Sequence, residues 1–267
     1  MKIKLTILPI VIILSFFTPI NAEEKVLTIG TYQMPPFHMK QNNKITGIYT
    51  EIVEAVLKKI NVKYTIEFIP LKRADLMLAD GGVDAVYDSA SWGKEGKIYI
   101  PKEILLCTNW GMWIQKKDAN KLKYDKLDDL NGYRVGLILG TPYYKGFRTH
   151  VEKNCKVRNV TKNEINLNKL ANDRLDYFMY EELAGKILTK ELGISDKLVF
   201  LKNAKKNIYY SSHIMFNKEK VDIEIVNTFS DALTAFKKTR EFRDLCIKYF
   251  GEELNYNYVW GVPDAVF

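Results

Sequence analysis

Cysteine, proline and glycine are all scarce in this chain, at 3, 8 and 15 of 267 residues. Cys107, Cys155 and Cys246 fall in no C-x-x-C or metal-ligand spacing, so neither a redox motif nor a structural zinc site is written here, and their pairing is not fixed by sequence. Cys107 lies in an apolar strand-like run and Cys246 on the apolar stripe of a terminal helix, which argues against a catalytic thiol. Little proline and glycine excludes collagen-like and low-complexity structure. A second long apolar run is missing as well: beyond residues 5–20 no stretch approaches the length of a membrane-spanning helix, which excludes a polytopic membrane protein. Also lacking is a basic helix or any nucleic-acid signature. The 40 Lys+Arg exceed the 32 Asp+Glu, but the lysines fall as scattered pairs such as Lys58-Lys59, Lys116-Lys117 and Lys205-Lys206, the pattern of a solvated surface.

What is present is enough apolar material for a real core, with 47% hydrophobic and 12% aromatic residues. That suits one large domain or two modest ones. At the N-terminus, Lys2 and Lys4 precede the apolar run, and Pro19, Ile20, Asn21 and Ala22 stand before Glu23 and Glu24. This is the layout of a secretory signal peptide over residues 1–22, cut after Ala22, which implies a periplasmic protein. An uncleaved anchor is the alternative, because Ile20 is bulkier than the small residue usual three before the cut. No cysteine follows Ala22 to accept a lipid.

Apolar runs then alternate with amphipathic segments. Residues 26–30 read as a buried strand, and Ile48, Ile52, Val53, Val56, Leu57 and Ile60 share one helical face. Residues 64–69 and 83–87 read as strands around a short helix over 73–78. The rhythm predicts an α/β fold with mainly parallel sheets and helices on both faces. A second set follows, with strands over 134–139, 156–160, 175–180 and 198–201 and a helix over 143–153. Two long extended runs, 103–116 and 208–217, bracket this second unit, and helices over 222–238 and 241–250 end the chain. The chain is therefore expected to leave a first lobe (23–112 with 210–267) for a second (113–209) and return, leaving a two-strand hinge that closes on a ligand. The aromatic tail over 252–267 is expected to dock on a surface.

At this level the residues resemble a known family. Thr31-Tyr32, Pro36-Phe37, Thr46-Gly47-Ile48 and Gly82-Val83-Asp84-Ala85-Val86 come in the order seen in family 3 solute-binding proteins, the periplasmic receptors of ABC importers. Leu130-Asn131-Gly132-Tyr133-Arg134-Val135-Gly136, Gly140-Thr141 and Leu175-Asp176-Tyr177 are similar to the family's second lobe. The resemblance covers nearly all of the chain past residue 22. It implies a type II periplasmic-binding fold, a small-molecule ligand between the lobes, an inner-membrane ABC permease as partner, a monomer, and no cofactor or metal.

The expected site lies beyond the carboxyl ends of the strands. Tyr32 and Phe37 are candidates for an aromatic wall. Asp88, Ser89 and Ser91 match the family's hydroxyl-lined loop, and Trp92 within it is a candidate cover for a ring or an aliphatic chain. Where amino-acid receptors carry a carboxylate-clamping arginine, this chain has Gly96, which puts an ordinary α-amino acid in doubt. Arg73 is a substitute guanidinium from another direction. Gly140-Thr141-Pro142 is read as opening a helix whose amides suit an anion, with Tyr143 beside it as a polar contact. Glu181 falls on the family's acidic, amine-pairing position, with Glu182 the alternative if the register slips. Asp88 and Glu181 from opposite lobes favour an amine-bearing ligand. Two other functions are open to this fold: a dehydratase of the cyclohexadienyl type using Glu181 and Asp88, and a periplasmic sensor for a membrane signalling partner. His38, His150 and His213 are too dispersed in sequence for a triad or metal cluster.

Overall fold

The computed structural model describes residues 25–87, 96–141, 143–202, 204–205 and 207–251. The first lobe opens with β1 (Leu27–Thr31), a hairpin of β2 (Met39–Gln41) and β3 (Lys44–Thr46), then α1 (Ile48–Lys59), β4 (Tyr64–Phe68), α2 (Leu71–Ala79), β5 (Ala85–Tyr87) and β6 (Ile98–Tyr99). The second contains β7 (Leu106–Gln115), β8 (Arg134–Ile138), α3 (Phe147–Asn154), β9 (Lys156–Val160), α4 (Asn163–Ala171), β10 (Tyr177–Glu181), α5 (Glu182–Glu191), β11 (Leu198–Phe200) and β12 (Ile208–Ser212). The chain then returns through β13 (Ile214–Asn217) to α6 (Ile223–Phe236) and α7 (Arg240–Phe250).

Two sheets result, one ordered β4-β1-β5-β13-β6 and one ordered β11-β7-β10-β8-β9 with β12 paired onto β7. Their centres are parallel, as β4-β1-β5 and β10-β8-β9. The expected mainly parallel sheets are in fact mixed, because every strand the chain lays down while crossing between lobes runs antiparallel to its neighbour. The helix expected over 143–153 starts late, at Phe147, after an irregular turn. The long run over 208–217 breaks at His213, where the chain changes sheets.

The first core forms where the α1 stripe of Ile48, Ile52, Val53, Val56 and Leu57 meets β1 and the C-terminal helices, with Phe229, Phe236 and Phe242 buried among them. Each fully buried aliphatic side chain contributes about 1.5–3 kcal/mol. Gly47, just ahead of α1, has φ +120°, and a Cβ there would sit 2.4 Å from the carbonyl oxygen of Phe37, so only glycine lets this helix approach the preceding turn. Tyr249 on α7 fixes the same corner: its hydroxyl donates to Glu51 Oε1 and accepts from the Gly47 amide at 3.2 Å. In the second lobe, Met112, Ile114, Val135, Leu137, Tyr177 and Met179 cover one sheet face, with Phe147 and Val151 of α3 packed on it.

The crossing itself is held from behind. Lys237, whose side chain is fully buried, pairs with Glu103 Oε1 at 2.6 Å, and Thr234 donates to the other oxygen at 3.0 Å. Burial lowers the Lys237 pKa and Glu103 opposes that shift. No disulfide joins Cys107, Cys155 or Cys246. Among the described residues no helix is long and apolar enough to cross a membrane.

Candidate functional site

Strand register brings the carboxyl edges of the two sheets to opposite ends of one ribbon. β13 pairs antiparallel with β5, so Ile214 lies opposite Tyr87 at the carboxyl end of β5. β12 pairs with β7 from Ser212↔Leu106 to Ile208↔Trp110, and Trp110 lies opposite Glu181 at the carboxyl end of β10. Six residues of extended chain, about 20 Å, therefore separate the two edges. Ligands of open α/β sheets bind beyond such edges.

At the first edge the structure builds a closed aromatic cluster. His38 is fully buried, edge-on to Tyr32 at 4.5 Å and to Tyr87 at 5.5 Å, and stacked on Tyr49 at 6.0 Å. Its Nδ1 is 2.6 Å from the Tyr32 carbonyl oxygen, which only accepts, so Nδ1 carries the proton. Tyr49 donates to Ser212 Oγ at 2.9 Å, tying α1 to the ribbon, and the Tyr87 and Thr50 hydroxyls lie 2.7 Å apart.

At the second edge Glu181 is 0% exposed. It caps α5: Oε2 accepts from the Ala184 amide at 2.6 Å, while Oε1 is buried with no hydrogen-bond partner among the described residues. Burial pushes its carboxyl up to about 8, with Glu182 adding to the rise and the backbone amides of Ala184, Leu183 and Asn109 opposing it. Trp110 packs edge-on against Tyr180 at 6.2 Å and against Tyr210 at 6.3 Å. Beside them the Tyr124 and Tyr144 hydroxyls are 2.6 Å apart. Burial raises the Tyr210 pKa to about 12, so it stays a neutral phenol at physiological pH.

The sequence candidates fare unevenly. Tyr32 stands after β1 as expected but is 6% exposed, its ring engaged with His38. Phe37 is a correction: it is 0% exposed and packs on Tyr49 at 4.9 Å and Phe250 at 6.5 Å, because the Met34–His38 turn folds its ring onto α1. Arg73 is exposed in the first turn of α2. Asp88, Ser89, Ser91 and Trp92 lie outside the described residues. Gly96 has φ +99°, and among the described residues nothing lies within 4 Å of where a Cβ would stand.

Thr141 does not open a helix, since α3 begins at Phe147. Its carbonyl instead accepts from Arg148 at 3.3 Å. Tyr143 turns its hydroxyl inward, accepting from the Ile138 amide at 2.9 Å, with the Arg148 guanidinium 5.4 Å from its ring. Glu182 is already satisfied by Asn109 Nδ2 at 2.9 Å and Lys186 Nζ at 2.9 Å. Residue by residue, Glu181 remains with an uncommitted oxygen and Glu182 does not.

Trp110, Tyr210 and Arg148 are absent from the sequence reading. Trp110 and Tyr210 sit in extended runs about 100 positions apart, and only strand pairing joins them. Arg148, four residues before Glu152 and paired with it at 3.1 Å, has the spacing of a surface helix pair, yet its other nitrogen also reaches the Ile138 carbonyl at 3.1 Å. Among the described residues no group of three His, Cys, Asp or Glu side chains is placed to hold a metal ion.

Comparison with known proteins completes the site's setting. A model of the bacterial extracellular solute-binding proteins, family 3, matches residues 27–252. The probable amino-acid-binding protein of Bacillus subtilis strain 168 is 25% identical over 234 residues, covering 87% of this chain and 86% of that one. Among solved structures, a histidine kinase sensor domain similar to periplasmic binding proteins superposes with a TM-score of 0.69 at 18% identity, covering 85% of this chain and 97% of that one. The substrate-binding protein of an amino acid ABC transporter gives 0.63 at 20% identity, covering 85% and 100%. Both share the two-lobed fold.

Proposed function

This chain belongs to the bacterial extracellular solute-binding proteins, family 3, and from that premise we propose that it clamps a small amine-bearing ligand between its lobes and delivers it, chemically unchanged, to an ABC permease. The observation that carries the ligand class is Glu181, a buried carboxylate at the second edge with one oxygen unpartnered. A cationic nitrogen seated there would give that oxygen a counter-charge and favour its ionised form. The division into a discontinuous lobe (23–112 with 210–267) and a continuous one (113–209) goes with this reading. Sheet membership goes with a discontinuous first lobe but moves the crossings outward, since β7 from Leu106 and β12 to Ser212 both lie in the second sheet. Proposed along with it are the removal of residues 1–22, action as a periplasmic monomer, and ligand contacts from Tyr32, Arg73, Thr141 and Tyr143.

A thermal-shift screen over amino acids, amines, small peptides and aromatic acids tests the reading, since a ligand that binds only the folded chain raises its melting temperature. Amines are expected to stabilise and Glu181→Ala to weaken their binding by about 2 kcal/mol or more. Recovery of a stabilising compound in altered chemical form would overturn receptor function in favour of catalysis. Unchanged affinity in Glu181→Ala would remove that residue from the site.

A further inference from the structure

The second edge has a shape that a plain ammonium site does not need. Trp110 stands on β7 with β10 on one side and β12 on the other, and each neighbour contributes a tyrosine against it. The planes of Tyr180 and Tyr210 stand at 88° and 85° to the indole, with centroids 6.2 and 6.3 Å away. Both tyrosines stand edge-on to the indole, so Trp110 carries an aromatic neighbour from each flanking strand. Tyr180 is enclosed at 5% exposure, whereas Trp110 and Tyr210 are only half-buried and reach solvent. Glu181 lies directly opposite Trp110 in the strand pair, which places one carboxylate beside the rings.

Ring faces attract a cation through their quadrupole but offer it no strong hydrogen-bond acceptor. A primary ammonium brings three N–H donors, and an unpaired donor in a desolvated site is costly. Among the described residues, Glu181 Oε1 is an acceptor directly opposite Trp110 that is left without a hydrogen bond by its own chain. An ammonium bearing alkyl groups avoids that cost, because its charge is spread over carbon and asks for contact and a counter-charge rather than hydrogen bonds. We propose that the cleft selects an alkylated ammonium, seated on Trp110 between Tyr180 and Tyr210 with Glu181 as its counter-charge. This rests on the receptor reading above and narrows its ligand class.

The test uses calorimetry and thermal shift on the full chain with four probes: tetramethylammonium, choline, methylammonium, and 3,3-dimethylbutan-1-ol, the uncharged isostere of choline. Choline is expected to bind at least tenfold more tightly than either methylammonium or the isostere. Trp110→Ala is expected to weaken choline at least tenfold, while Trp110→Phe, which keeps a ring, loses less. If Trp110→Ala does not fold, the order of the four probes on the unmodified chain and the Trp110→Phe affinity decide the matter. Failure of choline and tetramethylammonium to bind, or tighter binding of methylammonium or of any zwitterionic α-amino acid, overturns the alkylated-ammonium assignment and leaves the receptor reading intact. Chemical conversion of bound choline would instead overturn the receptor reading.

Discussion

Glu181→Gln should change how the ligand-free protein responds to pH. The folded chain holds this carboxyl at about 8 against an ordinary 4.5, because the side chain is fully buried. Between those two values the folded state keeps a proton that the unfolded chain has released. Stability contributed by that proton is therefore full below pH 4.5, declines as pH rises, and is gone above about 8. Linkage over pH 5 to 8 puts the loss on the order of 3 kcal/mol. Glutamine keeps an oxygen for the Ala184 amide and cannot ionise, so the variant escapes the loss. For a chain of this size that is about 6–12 °C in melting temperature. Asp129, Asp173 and Asp176 have lowered pKa values and favour the opposite trend, but they act alike in both proteins and cancel in the difference. Urea and thermal melts of the two proteins at pH 5, 6, 7 and 8 should converge at pH 5 and separate with rising pH, the variant ahead. Parallel profiles would mean that Glu181 is ionised and hydrated throughout, and the account of its burial would be wrong.

Other consequences follow from single contacts. A bound cation that keeps Glu181 ionised displaces its proton, so binding at pH 7 should release close to one proton, read as heats that change with the buffer's ionisation enthalpy. Gly185→Ala would place a Cβ 2.3 Å from the Trp113 ring, and overpacking of this kind costs about 1–3 kcal/mol in a urea melt. Lys237→Met breaks the buried pair with Glu103, and the expected loss of about 3–5 kcal/mol should be partly restored in Glu103→Gln/Lys237→Met, where no charge is left unpaired. Tyr249→Phe removes the hydroxyl shared by Glu51 and the Gly47 amide, which should cost about 1 kcal/mol by chemical denaturation.

Periodicity makes α1 plain in the sequence, because its apolar residues keep to one face and that face is what it buries. By contrast α4 is concealed: Asn163, Asn166 and Asn168 interrupt its stripe, and Asn166 is fully buried, where its amide donates to the Leu137 carbonyl at 3.2 Å. A polar residue fulfilling a core role breaks the pattern that periodicity depends on. The cap of α5 is hidden too, since Glu181 reads as a site acid and serves at the same time as the acceptor for a helix amide. Phe37 shows the reverse limit, as a turn decides whether an aromatic faces solvent or core and composition does not. Trp110, Tyr180 and Tyr210 lie on three strands whose alignment is set by pairing, which no local window contains.

The place of β13 in the first sheet has a consequence for biosynthesis. It sits between β5 and β6, strands more than 110 positions earlier in the chain. Until the chain up to residue 217 is free to pair, that sheet is split, with a vacant slot bordered by unpaired backbone. The second unit has no such dependence, as all its strands lie between residues 106 and 212. Assembly in order of synthesis would complete the later-encoded sheet first and close the earlier one last. A chain cut short before Ile214 would keep one finished lobe and one exposed strand edge, the kind of surface that invites aggregation and proteolysis.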